Sequence, residues 1–73
     1  MKKLFMITYN YADKKLNNDF KEFFSKIDYK FAIDRLENYA IIFVELTHNK
    51  YLELERYNFR GDFQVWEMKG RLI

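Results

Sequence analysis

Tyr39–Thr47, YAIIFVELT, is the strongest apolar run in the chain, and its reading decides the fold. β-branched Ile41, Ile42 and Val44 stand beside aromatic Tyr39 and Phe43, a density that favours a strand over a helix. Both rows of the run are apolar. Tyr39, Ile41 and Phe43 form one, and Ala40, Ile42, Val44 and Leu46 form the other. A strand apolar on both faces is expected to be buried on both, which puts it in the middle of a sheet.

Residues 3–9, KLFMITY, repeat the pattern with Leu4, Phe5, Met6 and Ile7 and predict a second central strand. Residues 29–36, YKFAIDRL, alternate instead. Tyr29, Phe31 and Ile33 share one side, and Lys30, Ala32 and Asp34 share the other. One-sided burial suits an edge strand. Glu37-Asn38 then makes a tight turn into the central run, completing a hairpin. Residues 62–68, DFQVWEM, predict a second edge strand, with Phe63 and Val65 pointing one way and Gln64, Trp66 and Met68 the other.

Between the first two strands, residues 10–15 read as a polar loop. Asn17 or Asn18 suits an N-cap, because its side-chain oxygen takes an orphan backbone N–H. Asp19 falls in the first turn, where the helix dipole favours an acid. Leu16, Phe20, Phe23, Phe24 and Ile27 recur with the spacing of one helical face. The spacing predicts a helix over 18–27 that packs its three-Phe stripe on a sheet.

Residues 48–59 read two ways. As a helix, Thr47 caps the start, Tyr51, Leu54 and Tyr57 share a face, and Gly61 supplies the stop. Leu52 and Phe59 fall off that face. As a strand, the alternation is broken by Glu53 and Glu55. The short helix is the preferred reading.

The order is then β-α-β-β-α-β in an α+β domain. In the ferredoxin-like arrangement of a four-stranded antiparallel sheet, the first and third strands are central and the second and fourth lie at the edges. The apolar patterning assigns those positions independently. If 48–59 is a strand, the alternative is β-α followed by an antiparallel meander.

The 73 residues make one domain, 1–73. A domain this small buries only about 60% of its unfolded surface and is marginal. Cys is absent, which excludes disulfides and thiolate metal sites, and a single His48 argues against a His-based one. The 8 Phe, 6 Tyr and 1 Trp offset the small size, since burying one large apolar side chain contributes roughly 1.5–3 kcal/mol. They also leave more apolar surface than one small core hides, which argues for an interface. The net charge of +2, from 13 basic and 11 acidic residues, is too mild to announce a nucleic-acid binder. Lys2 and Lys3 precede too short an apolar stretch for a secretory signal, and no segment approaches a membrane span of about 20 apolar residues. The expectation is a soluble cytoplasmic protein with no cofactor and no membrane association. There are no repeats, no linker and no Pro.

The first strand and its exit, Phe5-Met6-Ile7-Thr8-Tyr9-Asn10-Tyr11, resemble a known pattern. Small ferredoxin-like proteins of the CRISPR-adaptation subunit and toxin-like endoribonuclease group open with an apolar strand ending in Tyr-Asp. The resemblance covers this strand and the element order. It implies a dimeric scaffold and, through the strand-end Asp, metal-dependent phosphodiester cleavage. The aligned position here is Asn10. A neutral amide does not supply the charge that Mg²⁺ takes from a carboxylate.

Other residues with chemical potential read as structure. Asp13, Asp28 and Asp34 have no spacing that makes them converge on a metal, and solvated acids are the expectation. His48 has a reference pKa of about 6.5, suited to acid–base work, but no Ser, Cys or carboxylate adjoins it, so it reads as an exposed turn histidine. Asn38-Tyr39-Ala40 resembles part of the RNA-recognition module's third-strand motif, with Ile41 where an aromatic is expected and Glu37 where a basic residue is. Arg60-Gly61-Asp62 reads as a turn, with Gly supplying φ > 0. Gly61 and Gly70 are the only glycines, so a glycine-rich phosphate loop is excluded.

The functional expectation is a non-enzymatic small binding protein rich in interface aromatics. By analogy with tiny Lys/Asn/Tyr-rich phage and mobile-element accessory proteins, it inhibits or modulates a host machine such as a defence nuclease, in the manner of an anti-CRISPR. A homodimer is expected through Phe63, Val65, Trp66, Met68, Leu72 and Ile73, because the 63–68 edge carries neither Pro nor Lys as a guard. The alternative is a nucleic-acid-binding module or weak metal-dependent endoribonuclease on a ferredoxin-like dimer, with Tyr9, Asn10, Lys30, Arg35, Arg56 and Arg60 as contacts.

Overall fold

In a computed structural model, which describes residues 1–70, six elements follow one another. They are β1 (Lys2–Asn10), α1 (Lys14–Phe23), β2 (Tyr29–Asp34), β3 (Tyr39–Thr47), α2 (His48–Arg56) and β4 (Phe63–Met68). The strands form one sheet in the order β2-β3-β1-β4, with each neighbouring pair antiparallel. This is the ferredoxin-like α+β arrangement, with β1 and β3 central as the two-sided apolar patterning requires. The meander alternative falls away, because residues 48–56 are helical. No helix among the described residues is long and apolar enough to cross a membrane.

The core lies between the helices and one face of the sheet. Phe5, Ile7 and Tyr9 of β1 and Ala40, Ile42, Val44 and Leu46 of β3 are buried there with Leu16, Phe20 and Phe24 of the α1 region and Leu54 of α2. Phe20 is the hub. Its ring lies 4.5 Å from Phe59, 5.1 Å from Tyr9 and 5.2 Å from Phe63, centroid to centroid. Such pairs add to the area term through ring quadrupoles.

Several boundaries differ from those expected. The first helix starts four residues earlier than 18 because Asp13, not Asn17 or Asn18, caps it. The Asp13 carboxylate accepts from Leu16 N at 3.0 Å. The helix ends at Phe23, and residues 24–27 continue as turns that still carry Phe24 and Ile27 against the sheet. Thr47 caps α2 by accepting from Lys50 N at 3.2 Å. That helix stops at Arg56, because Tyr57 turns extended. Phe59 is therefore off the helical face for a simple reason: it lies beyond the helix, on an irregular segment that drops its ring into the core. Gly61 is not the helix stop. It sits in the loop before β4 at φ 136°, against the α1 cap.

One larger expectation is corrected. The central strands are buried on one face only. Tyr39, Ile41 and Phe43 of β3 and Leu4 and Met6 of β1 are half-buried to exposed. Both helices lie on the same side of the sheet, so among the described residues the second apolar row has no layer above it.

Candidate functional site

The cross-strand register lays that second face out as a grid. One row runs Lys30, Phe43, Met6, Trp66 across β2, β3, β1 and β4. The next runs Ala32, Ile41, Thr8, Gln64. On the other side of the first row lie Glu45, Leu4 and Met68. Asp34, Tyr39 and Asn10 close the far end. Trp66 and Tyr39 are each 48% exposed and Met68 38%. Leu4, Met6, Ile41 and Phe43 fill the space between them. The result is one continuous apolar surface of large side chains, rimmed by charge. Scattered exposed apolar residues need no explanation, but contiguous patches of large ones mark contact surfaces.

The rim carries charge at both ends. At one end lie Lys2, Lys26 and Lys30 with Asp28 and Glu45. At the other, an open groove of about 710 Å³ is lined by Asp34, Asp62, Thr8, Tyr39, Ile41 and Gln64 and carries no basic side chain. Asp34 is also a turn former there, since its Oδ1 accepts from Leu36 N at 3.0 Å and Glu37 N at 3.3 Å.

The anticipated interface residues divide between the two faces. Trp66 and Met68 lie on the open face. Phe63 and Val65 point to the helical side and pack against the core. Leu72 and Ile73 lie outside the described residues. The residues anticipated for nucleic acid do not gather. Tyr9 is 2% exposed and faces the helices, where its hydroxyl donates to Asn17 Oδ1. Burial first, then the nearby Tyr29, Tyr11 and Asp13, pushes that hydroxyl's pKa up from 10.0 to about 12. Asn10 is a corner piece. Its Oδ1 accepts from Ala12 N at 2.9 Å and from Asn38 Nδ2 at 3.5 Å, tying the exit of β1 to the β2–β3 turn. Lys30 is on the open face, Arg35 in the β2–β3 turn, Arg56 at the end of α2 and Arg60 in the loop before β4.

His48 opens α2 and is exposed, at the start of a helix rather than in a free turn. With Phe5, Leu46, Tyr51 and Val65 it lines a small cavity of about 250 Å³ at the helical side. Tyr51 stacks on Phe5 at 4.8 Å. Its pKa is raised, chiefly because its hydroxyl donates to Glu55, and then by burial and the charges of Glu55 and Glu67. Among the described residues no three His, Asp or Glu side chains are close enough to hold a metal ion.

No known protein family, characterised protein or solved structure matches the chain. The site therefore has to be read from its own chemistry.

The sequence does not single out Leu4, Met6, Ile41 and Phe43 as site residues, because apolar patterning on both rows reads as burial on both faces. A signal was present. Two helical segments in a β-α-β-β-α-β chain make one layer, and one layer covers one face.

Proposed function

We propose that this chain is a non-enzymatic protein-binding module that acts through the open face of its sheet, modulating a larger machine by contact rather than by chemistry. The observation that carries this is the row Phe43, Met6, Trp66 with Leu4, Met68 and Ile41 around it, an apolar surface that the chain's own helices leave uncovered. Aromatic and Met side chains are the ones enriched at the centres of protein interfaces, and a charged rim is the usual surround. Asn10 supports the same reading. The residue at the position of the resembling group's catalytic acid is committed to holding a turn.

A second reading, a nucleic-acid module, is favoured by one observation. Tyr39, Phe43 and Trp66 place three aromatic side chains on the open face, where bases stack in single-strand binders. The rim weighs against it, since Asp34, Glu45 and Asp62 put carboxylates where phosphates have to pass.

The deciding experiment incubates the protein with labelled RNA and DNA in Mg²⁺ or Mn²⁺, and separately measures protein capture by wild type and by Trp66→Glu. No cleavage, with capture that Trp66→Glu abolishes, is the expected result. Cleavage that disappears in Asn10→Ala overturns the reading. Tight binding at low salt that collapses at moderate salt transfers it to nucleic acid.

A further inference from the structure

We infer that the outer edge of β2 takes an extended segment of a partner protein as a fifth strand, with one large apolar side chain of that segment seated in the groove between α1 and β2. This goes beyond the reading of the open face and does not depend on it.

The edge selects the class of occupant. β2 is an outermost strand, with β3 on one side and no strand on the other among the described residues. Alternate backbone N–H and C=O groups of such a strand point away from the sheet, and their complement is the backbone of another strand. Closed edges carry Pro, a bulge or an inward-pointing charge. β2 has no Pro, keeps an unbroken register with β3 from Tyr29 to Asp34, and sets Tyr29, Phe31 and Ile33 on its helical side. Lys30 is its one lysine and lies on the open face. The middle of the strand, Lys30, Phe31 and Ala32, is exposed. β4, the other outer strand, runs on into the residues beyond 70, whereas the segments on both sides of β2 are described.

The groove selects the side chain. Pairing with buried Ile42 puts Phe31 on the helical side, yet Phe31 is 44% exposed and Tyr11 beside it 39%. The position of α1 explains this. Phe20 packs on Tyr9 of β1 and Phe63 of β4, and Phe24 reaches β2 at its first residue, Tyr29, 5.9 Å away. The rest of β2 is left short of a roof. The Phe31 and Tyr11 rings lie 6.3 Å apart at this step, and with Tyr29, Asn17 and Lys21 they line a cavity of about 290 Å³. That is room for one large aliphatic or aromatic side chain, below the size of most small-molecule sites. A fifth strand lies about 4.8 Å outside β2, and every second side chain of it falls on the helical side next to Phe31. The occupant that satisfies edge and groove together is an extended peptide with apolar residues at alternate positions.

The probes are short fluorescent peptides that alternate Leu, Phe or Val with Thr, and scrambled peptides of the same composition. With the full chain, anisotropy is expected to rise for the alternating set and not for the scrambled one. N-methylation of every second amide is expected to weaken binding at least about tenfold in one of its two phases, because backbone hydrogen bonds hold an added strand. Phe31→Thr and Tyr11→Ser are each expected to weaken it about tenfold, with circular dichroism reporting the fold. Tyr11→Ser keeps the backbone N–H that residue 11 donates to Asn38 O at 2.9 Å. Trp66→Glu is expected to leave peptide affinity unchanged, which separates this edge from the open face. No binding by the alternating set overturns the proposal, and so does binding that tolerates N-methylation in both phases. Affinity that falls with Trp66→Glu but not with Phe31→Thr moves the peptide to the open face and overturns the edge.

Discussion

The Tyr9 hydroxyl donates to Asn17 Oδ1 at 2.5 Å, and this bond pins the middle of the sheet to α1. The ring is buried and packs 5.1 Å from Phe20, so the phenol is stabilised in its neutral form. Its pKa rises from 10.0 to about 12 on folding. Below the unfolded value both states hold the proton, and the contribution is complete. As pH rises from 10 towards 12, the unfolded chain loses the proton first, so stability falls by about 1.4 kcal/mol per pH unit until the folded group titrates as well. Tyr9→Phe is expected to cost about 1–2 kcal/mol at neutral pH, where the bond is intact. The gap to wild type is expected to narrow by pH 11, because the variant has no Tyr9 proton to retain. Urea unfolding of both proteins at the two pH values measures this directly.

Gly61 occupies a position that admits no side chain. Its φ is 136°, and a Cβ built there meets Asp13 Oδ2 at 2.7 Å and Leu16 Cδ2 at 3.2 Å. Asp13 is the cap of α1, so an added methyl strains the loop and pushes the cap off Leu16 N in one step. Gly61→Ala is expected to destabilise by about 1–3 kcal/mol. Gly70, also at positive φ, has open space where its Cβ would go, so Gly70→Ala carries the backbone strain alone and is expected to cost less. Thermal melts of the two variants side by side test the difference.

The contrast between the two glycines also marks what a sequence can carry. Local chemistry predicted that Thr47 caps a helix, that Tyr39–Thr47 is central and that Gly61 takes positive φ, because each depends on neighbours along the chain. The role of Gly61 at the α1 cap depends on residues nearly fifty positions away, and no spacing expresses it. Asp13 does not stand out as a cap in the sequence, because Lys14 and Lys15 extend the polar stretch ahead of Leu16. The apolar stripe shows which face of a helix is buried, but not where its polar first turn begins. The open face was half anticipated. Trp66 and Met68 stood out on an edge strand, but Met6 and Phe43 were hidden by the pattern that marked their strands as central. Composition distinguishes an apolar row from a polar one. It does not distinguish a row covered by the same chain from one left for another.

Asn10 tests the resemblance to the endoribonuclease group. Asn10→Asp restores the carboxylate that the group's pattern has at the strand end, and an Asp Oδ1 still accepts from Ala12 N. One carboxylate does not make a Mg²⁺ site, and no three His, Asp or Glu side chains converge among the described residues. The expected outcome is a folded protein with no gain of RNA or DNA cleavage in Mg²⁺ or Mn²⁺. Cleavage that appears in Asn10→Asp shows instead that the scaffold holds a nuclease site lacking one ligand.

Phe20 and Phe43 make the sharpest comparison in the molecule, one on the covered side and one on the open face. Phe20 is fully buried, with rings of Tyr9, Phe24, Phe59 and Phe63 around it. Removing a core Phe costs about 3–5 kcal/mol. A domain of 73 residues has only about 4–11 kcal/mol in total at the usual stability per residue. Phe20→Ala is therefore expected to leave a largely unfolded or molten chain at 37 °C. Phe43→Ser removes a side chain on the face that the helices leave uncovered, so the isolated fold is expected to lose about 1 kcal/mol or less. Its effect is expected to fall on binding at the open face instead. Binding of a captured partner stabilises by mass action, so the wild-type melting temperature is expected to rise with partner concentration. Phe43→Ser is expected to melt at one temperature across the same concentration range. Melts over a hundredfold range of partner concentration read both effects. A wild-type midpoint that does not move with concentration, together with a large loss in Phe43→Ser, makes Phe43 a core residue of the single chain and removes the open face as a site.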